Sequence, residues 1–154
     1  MKTLGCDIGS LFSKAVVMVQ KEVAERLVSP PGSKSYGILS VAVQLYSDVE
    51  IVDLVKRSAF FPPPKVDSAI VKLDIRKEAK VAMPDEKTFF KIVEAAFSER
   101  RKTLKNSLRN NLNLSNEEIE MILKISGIDG SRRAETLSLQ EFASLCRVFM
   151  DLKE

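Results

Sequence analysis

The 154-residue chain contains no histidine. That absence removes Ser-His and Cys-His nucleophile systems and every His-ligated metal site. Cysteine is scarce too: Cys6 and Cys146 lie near opposite ends, and neither has a CxxC neighbour. A zinc knuckle is thereby excluded, a disulfide framework is not expected, and two free thiols suit a reducing cytoplasm. No apolar run approaches the roughly 20 residues needed to cross a bilayer. The stretch from Met1 to Val19 mixes Asp7, Ser10, Ser13 and Lys14 into its apolar residues, so a signal peptide is not expected. What is present is globular: 45% hydrophobic and 29% charged residues rule out a disordered tail or a low-complexity array. The length fits one medium domain or two small ones, against domain sizes of roughly 100–150 residues.

Two halves differ in pattern. From Lys2 to Ile75, short Val/Ile/Leu runs are divided by Gly, Pro and Ser clusters. Lys2–Ile8, Ala15–Gln20, Val49–Val55 and Ala69–Ile75 read as strands, and AVVMVQ (15–20) is apolar enough to be buried on both faces. Lys21–Val28 reads as a helix stopped by Pro30-Pro31-Gly32, and Tyr36–Tyr46 places Ile38, Val41 and Leu45 at helical spacing. After a polar link at Arg76–Pro84 the pattern is helical to the end. Asp85–Phe97 carries Phe89, Val93, Ala96 and Phe97 on one face. Arg101–Leu112 spaces Leu104, Leu108 and Leu112 four apart, and Ser115 precedes first-turn acids that open Ile119–Ile125. Ser138 then introduces a last helix with Leu139, Phe142, Leu145 and Phe149 as its stripe. There is no internal repeat.

Positive charge is concentrated. The chain has 24 Lys and Arg against 21 Asp and Glu, yet Glu99–Arg109 (ERRKTLKNSLR) holds five bases and one acid, leaving the remainder close to neutral. On one continuous helix Arg101, Lys105 and Arg109 share a face while Leu104 and Leu108 point to the core, and such a stripe can follow phosphates. A solvated helix face is the plainer reading of the same charges. The second feature is Ser58–Ser68, SAFFPPPKVDS. Three prolines fix φ, remove three donors and hold the loop extended, so Phe60 or Phe61 could be presented to stack on a base. On physics alone both rings could equally plug the core beneath a rigid loop.

These residues carry a resemblance. MVQKEVAERL (18–27), PGSKSYGILSV (31–41), SAFFPPPKVDSAIVKL (58–73), AAFSERRKTLKNSL (95–108) and GIDGSRRAETLSLQEFASL (127–145) closely resemble the rRNA adenine-N6,N6-dimethyltransferase family, in the family's order. The resemblance implies a Rossmann-like, S-adenosylmethionine-dependent domain followed by a small helical domain that helps dock on RNA. It assigns Phe60 to the target-adenine pocket and the segment Arg100–Leu104 to a basic RNA-facing surface, with Lys65, Arg100, Arg101, Lys102, Lys105 and Arg109 as the RNA-binding candidates. The family's glycine-rich cofactor loop (E-x-G-x-G-x-G) and its catalytic N-L-P-Y have no counterpart in this sequence. No catalytic or cofactor-binding residue is therefore assigned, and no cofactor is expected for this chain, although the full-length family uses S-adenosylmethionine.

The opening LGCDIGSLFSKAVV (4–17) admits three readings. It loosely resembles the start of a methyltransferase cofactor loop. It also resembles the first phosphate loop of the actin-like ATPases, with Asp7, Gly9 and Ser10 as the phosphate-loop candidates. Otherwise it is a junction hairpin in which Lys2–Ile8 pairs with Ala15–Gln20. The expected fold is α/β: a truncated Rossmann-like methyltransferase sheet of about four strands with an N-terminal hairpin added, then a small all-helical domain. The expected divisions are 1–17 (junction), 11–76 (distal methyltransferase sheet) and 84–154 (helical RNA-docking domain). The strand at 69–75 should lie between the other two family strands, and the helices after Asp85 should form a separate cluster. The expected partner is structured rRNA or the ribosomal small subunit, with neither DNA nor a membrane involved. The alternatives are a complementing half of an active methyltransferase and a small nucleotide-binding protein.

Overall fold

The structure, a computed structural model, describes residues 13–153. The expected strand Lys2–Ile8 and the candidates Asp7, Gly9 and Ser10 lie outside the described residues. The elements run β1 (Ser13–Gln20), α1 (Lys21–Val28), α2 (Ile38–Tyr46), β2 (Ser47–Val55), β3 (Ser68–Ile75), α3 (Glu86–Phe97), α4 (Leu104–Leu112), α5 (Asn116–Ser126) and α6 (Leu139–Asp151).

Among the described residues the sheet has three antiparallel strands in the order β1-β3-β2, and the expected fourth strand, Lys2–Ile8, falls outside those residues. The central place of β3 is as expected. β1 pairs with it from Ser13↔Ile75 to Gln20↔Ser68, and β2 from Ser47↔Ile75 to Val55↔Ser68, with a bulge between Ile51 and Asp53. Period-two alternation sends Val17, Val19, Val71 and Leu73 to one face, where Ala24 and Leu27 of α1 cover them. The other face is open, which corrects the reading of Ala15–Gln20 as buried on both sides: Val16 is 47% and Met18 50% exposed. No described element packs there, and ion pairs such as Lys72–Glu50 (2.8 Å) populate the same face. Each such exposed pair contributes little to stability.

The C-terminal helices gather round Phe89, Leu104, Leu108, Ile119 and Phe142, all at most 1% exposed. They do not form a cluster of their own. Val41 and Leu45 of α2 belong to the same core, together with Tyr36 just before it. The polar link 76–84 is also tied back: the Arg76 N–H donates to the Tyr46 carbonyl and the Lys80 N–H to the Leu45 carbonyl, both at 2.7 Å. Local signals set the helix starts. Asp85 caps α3 by accepting from the Thr88 N–H at 2.7 Å. Ser115/Glu118 and Ser138/Glu141 form capping boxes on α5 and α6. Gly127 ends α5 in the left-handed conformation at φ 68°. No described helix is long and apolar enough to cross a membrane.

Candidate nucleic-acid interface

α4 begins at Leu104, three residues later than the charge pattern suggested. Glu99–Thr103 is instead a turn, closed by the Lys102 N–H donating to the Glu99 carbonyl at 2.9 Å. The first N–H groups of α4 donate to a distant loop: Leu104 to the Arg132 carbonyl at 2.7 Å and Lys105 to the Gly130 carbonyl at 3.1 Å. A helix leaves its first four N–H groups without intrahelical partners, and here residues 130–132 satisfy two of them. Close approach is part of this arrangement. A Cβ on Gly130 would lie 2.7 Å from a Leu123 methyl and 3.1 Å from the Lys105 Cβ.

That docking brings Arg133 beside the 99–102 turn. The Arg132 side chain fixes the loop, its guanidinium holding the Glu141 carboxylate while a second N–H reaches the Thr136 carbonyl at 2.7 Å. Hydrogen bonding from Arg132, aided by Ser138, keeps the Glu141 carboxyl below its usual range despite partial burial. A carboxyl lowered in the folded state contributes stability that is present above its ordinary value, near 4.3. The contribution is lost as the pH falls through the lowered folded value. Glu141→Gln should therefore cost about 1 kcal/mol at neutral pH. The deficit, measured by denaturant unfolding, should shrink as the pH drops below about 4; one constant down to pH 2 would contradict the assignment.

The result is an open cleft of about 980 Å³ between the α1–α2 connection, the end of α3, the 99–102 turn and the Arg133 loop. Its cations are Arg26, Lys34, Arg100, Arg101, Lys102 and Arg133, against Glu22, Glu99 and Glu135. Two of the bases are compensated, Arg26 by Glu22 and Arg133 by Glu135 at 3.8 Å. Glu99 forms no ion pair with these bases among the described residues, its carboxylate accepting instead from Asn110 at 3.0 Å and from Asn111 at 3.3 Å. Among the described residues, Lys34, Arg100, Arg101 and Lys102 have no acid within ion-pair reach. Beneath them Tyr36 packs edge-on against Phe97 at 6.2 Å between ring centres.

The sequence candidates therefore divide. Arg100, Arg101 and Lys102 line this cleft. Lys105 and Arg109 do not continue a phosphate-following stripe, because Arg101 precedes the helix and both helical bases are engaged. Lys105 pairs with Glu120 of α5, whose carboxyl it lowers, and Arg109 donates to Asn110 at 3.3 Å and Asn116 at 3.1 Å. Lys105→Gln should consequently leave RNA affinity within about twofold and the salt dependence unchanged in a fluorescence-anisotropy titration. A slope change approaching the roughly 0.7–0.9 of a phosphate contact would restore the stripe. Phe60 and Lys65 lie elsewhere, on the β2–β3 connection, with Phe60 half-buried and Lys65 exposed. Lys34 and Arg133 were not singled out from the sequence, although both fall inside quoted blocks (PGSKSYG and GSRRAETL).

A family model for ribosomal RNA adenine dimethylase matches residues 8–151. The chain belongs to that family. It is 51% identical over 140 residues to the ribosomal RNA small subunit methyltransferase A of Geobacillus thermodenitrificans, covering 89% of this chain and 48% of that protein. The Clostridium acetobutylicum protein of the same name is 45% identical over 137 residues, covering 89% and 49%. The chain thus spans about half the length of the curated relatives it matches. A dimethyladenosine transferase from Plasmodium falciparum superposes with a TM-score of 0.70 at 28% identity, over 90% of this chain and 57% of that one. The 23S rRNA methyltransferase ErmE shares the fold, with a TM-score of 0.60 at 24% identity over 88% of this chain and 54% of that one. The likeness of residues 1–17 to actin-like ATPases gains no support, and the dimethylase match itself includes residues from 8 onward.

Proposed function

We propose that this chain is the RNA-docking part of an rRNA adenine dimethyltransferase, and that it holds structured small-subunit rRNA in the cleft lined by Lys34, Arg100–Lys102 and Arg133. The observation that carries this reading is a group of four cations in one cleft that, among the described residues, have no acid within ion-pair reach, while the Glu99 carboxylate accepts from Asn110 and Asn111. Such charges neutralise phosphates and release counterions, giving affinity that falls with salt. An unpaired cluster beside an apolar floor is suited to a folded RNA surface, and the docking unit is 84–154 together with α2, which shares its core. Titrating a labelled small-subunit rRNA helix with the full chain between about 50 and 200 mM salt tests it. Affinity insensitive to salt would sink the reading.

S-adenosylmethionine serves the family's chemistry, but the described residues do not fit it. β1 passes into α1 at Gln20–Lys21 with no loop between strand and helix, and the Gly130 backbone is closed off by Leu123 and Lys105. Among the described residues, none is arranged to hold a methyl donor and an exocyclic amine at near-attack distance. The chain alone should incorporate no methyl label from S-adenosylmethionine into rRNA adenine above a no-protein control. Incorporation abolished by Phe60→Ala would overturn this, since Phe60 is the residue the family resemblance places at the target adenine. A complementing role is the second reading, favoured by β1, which among the described residues is paired on one side only.

A further inference from the structure

We infer that Glu22 and Glu135 set the selectivity of the cleft: each masks an arginine, Arg26 or Arg133, in an ion pair that an RNA phosphate must displace. This rests on the RNA-docking reading above and gives the cleft a device that favours folded RNA over a single strand. Six bases and three acids line the cleft. Of the acids, Glu99 is occupied by Asn110 and Asn111. Among the described residues, the carboxylates of Glu22 and Glu135 each meet one partner, the cleft arginine of their own segment. Neither pair does much for the fold. Side-chain exposure is 53% for Arg26 and 73% for Glu22, and 57% for Arg133 and 34% for Glu135. Pairs this open contribute little stability and are screened by salt. Their effect is to cancel charge where phosphates arrive.

Backbone groups fix both pairs in the cleft wall. The Arg26 carbonyl accepts from the hydroxyl of Ser40, itself a lining residue, at 2.5 Å. The Glu135 carbonyl accepts from the Gly32 N–H at 2.7 Å, which joins the 133–135 segment to the α1–α2 connection. The two arginines thus stay beside Lys34 and Arg100–Lys102 whether or not their acids hold them. A phosphate can replace a carboxylate on a guanidinium, since each offers two oxygens to the same fork of N–H groups. The exchange trades one anion for another, so an isolated phosphate gains little by it. It becomes favourable once other contacts already hold that phosphate nearby, which raises its effective concentration. A folded RNA anchored on the open cations presents its next phosphates at fixed positions. A flexible strand must order further nucleotides to do the same, and that ordering costs affinity. Masking therefore weakens single strands more than folded RNA, which is selectivity by opposing the wrong partner.

Fluorescence anisotropy tests this with a labelled small-subunit rRNA helix and a short labelled oligouridylate strand, each titrated with the full chain between about 50 and 200 mM salt. Glu22→Gln and Glu135→Gln should each tighten binding of the helix about two- to fivefold. Each should also steepen its log–log salt dependence by up to roughly 0.7–0.9, since the freed arginine takes a phosphate and no released carboxylate recaptures a cation. The double variant should gain more for oligouridylate than for the helix, so the ratio of the two affinities falls. In a chain already carrying Arg133→Gln, Glu135→Gln should leave the slope unchanged, because no guanidinium remains to unmask. Glu78→Gln removes an exposed acid from the link tied to the far end of α2, and as the control for net charge it should change neither quantity. An unchanged thermal melt verifies the fold of each variant. Weaker binding by either cleft variant would overturn the inference, the acids then serving to orient their arginines. So would an unchanged affinity ratio, or a slope gain that persists without Arg133 and is thus a general charge effect. In each of those cases, salt-dependent binding by the unsubstituted chain leaves the cleft reading standing. Salt-insensitive binding, or no binding, by every version would end both.

Discussion

Replacing Arg100, Arg101 and Lys102 together with Gln should lower affinity for a structured rRNA fragment by at least tenfold near physiological salt. It should also flatten the log–log salt dependence by about two units, the sum of three contacts at roughly 0.7–0.9 each less some compensation by Lys34. All three side chains are exposed on a turn outside any helix, so their removal takes nothing from the core. The turn itself persists, since backbone bonding from Lys102 to Glu99 closes it and Asn110 and Asn111 continue to hold the Glu99 carboxylate. The charge change acts on bound phosphates alone, and thermal stability should shift little. If the triple variant keeps its salt slope, the cleft is a solvated surface and RNA docks elsewhere. Arg133→Gln should give a smaller change, because Glu135 already offsets that charge.

The contrast between Lys102 and Lys105 shows where the sequence was legible. Leu104 and Leu108 were readable as core because a four-residue spacing on a helix fixes their common face, and both are at most 1% exposed. Capping was readable for the same local reason: Asp85, Ser115 and Ser138 each accept from an N–H three residues on. The start of α4 was not, because the carbonyls that receive its first N–H groups belong to Gly130 and Arg132, far along the chain. Shifting that start takes Arg101 off the helix and dissolves the stripe. Lys105 then finds Glu120 on another helix, a pairing that no window of sequence contains. The cleft was half legible for a related reason. Its cations come from four separated places, Arg26, Lys34, Arg100–Lys102 and Arg133, of which the densest run alone shows in the charge count. Lys34 is the one base of its block, and Arg133 sits beside Arg132 in a short pair, so neither stands out as a charge run.

The open side of the sheet marks a different limit. AVVMVQ carries enough apolar residues for burial on two faces, and hydropathy does not say whether a second layer exists. Among the described residues α1 supplies one layer, and Val16 and Met18 face outward. The relatives' additional length gives the complementing reading its physical content. A companion strand on the free edge of β1 would extend the sheet in its plane, whereas covering Val16 and Met18 calls for a layer packed on the open face.

Phe142→Ala should produce the largest loss of stability in the chain, about 3–5 kcal/mol, through the cavity it leaves. Phe142 is fully buried on α6 and meets Phe97 at 6.0 Å and Phe89 at 6.4 Å between ring centres. Those two rings come from α3, so truncation loosens the α3–α6 contact rather than one helix. The loss continues to the cleft, because Phe97 in turn supports Tyr36 on the cleft floor. Domains of this size move about 2–4 °C per kcal/mol, so the melting temperature should fall by roughly 10 °C. RNA affinity measured well below that temperature should fall only modestly, since no phosphate contact is removed, and the salt slope should stay the same. Phe142→Leu retains much of the volume and should recover more than half of the lost stability. A melting temperature unchanged by Phe142→Ala would mean that the aromatic cluster does not hold α3 against α6. The cleft floor would then have to be supported by the α2 contacts of Val41 and Leu45 alone.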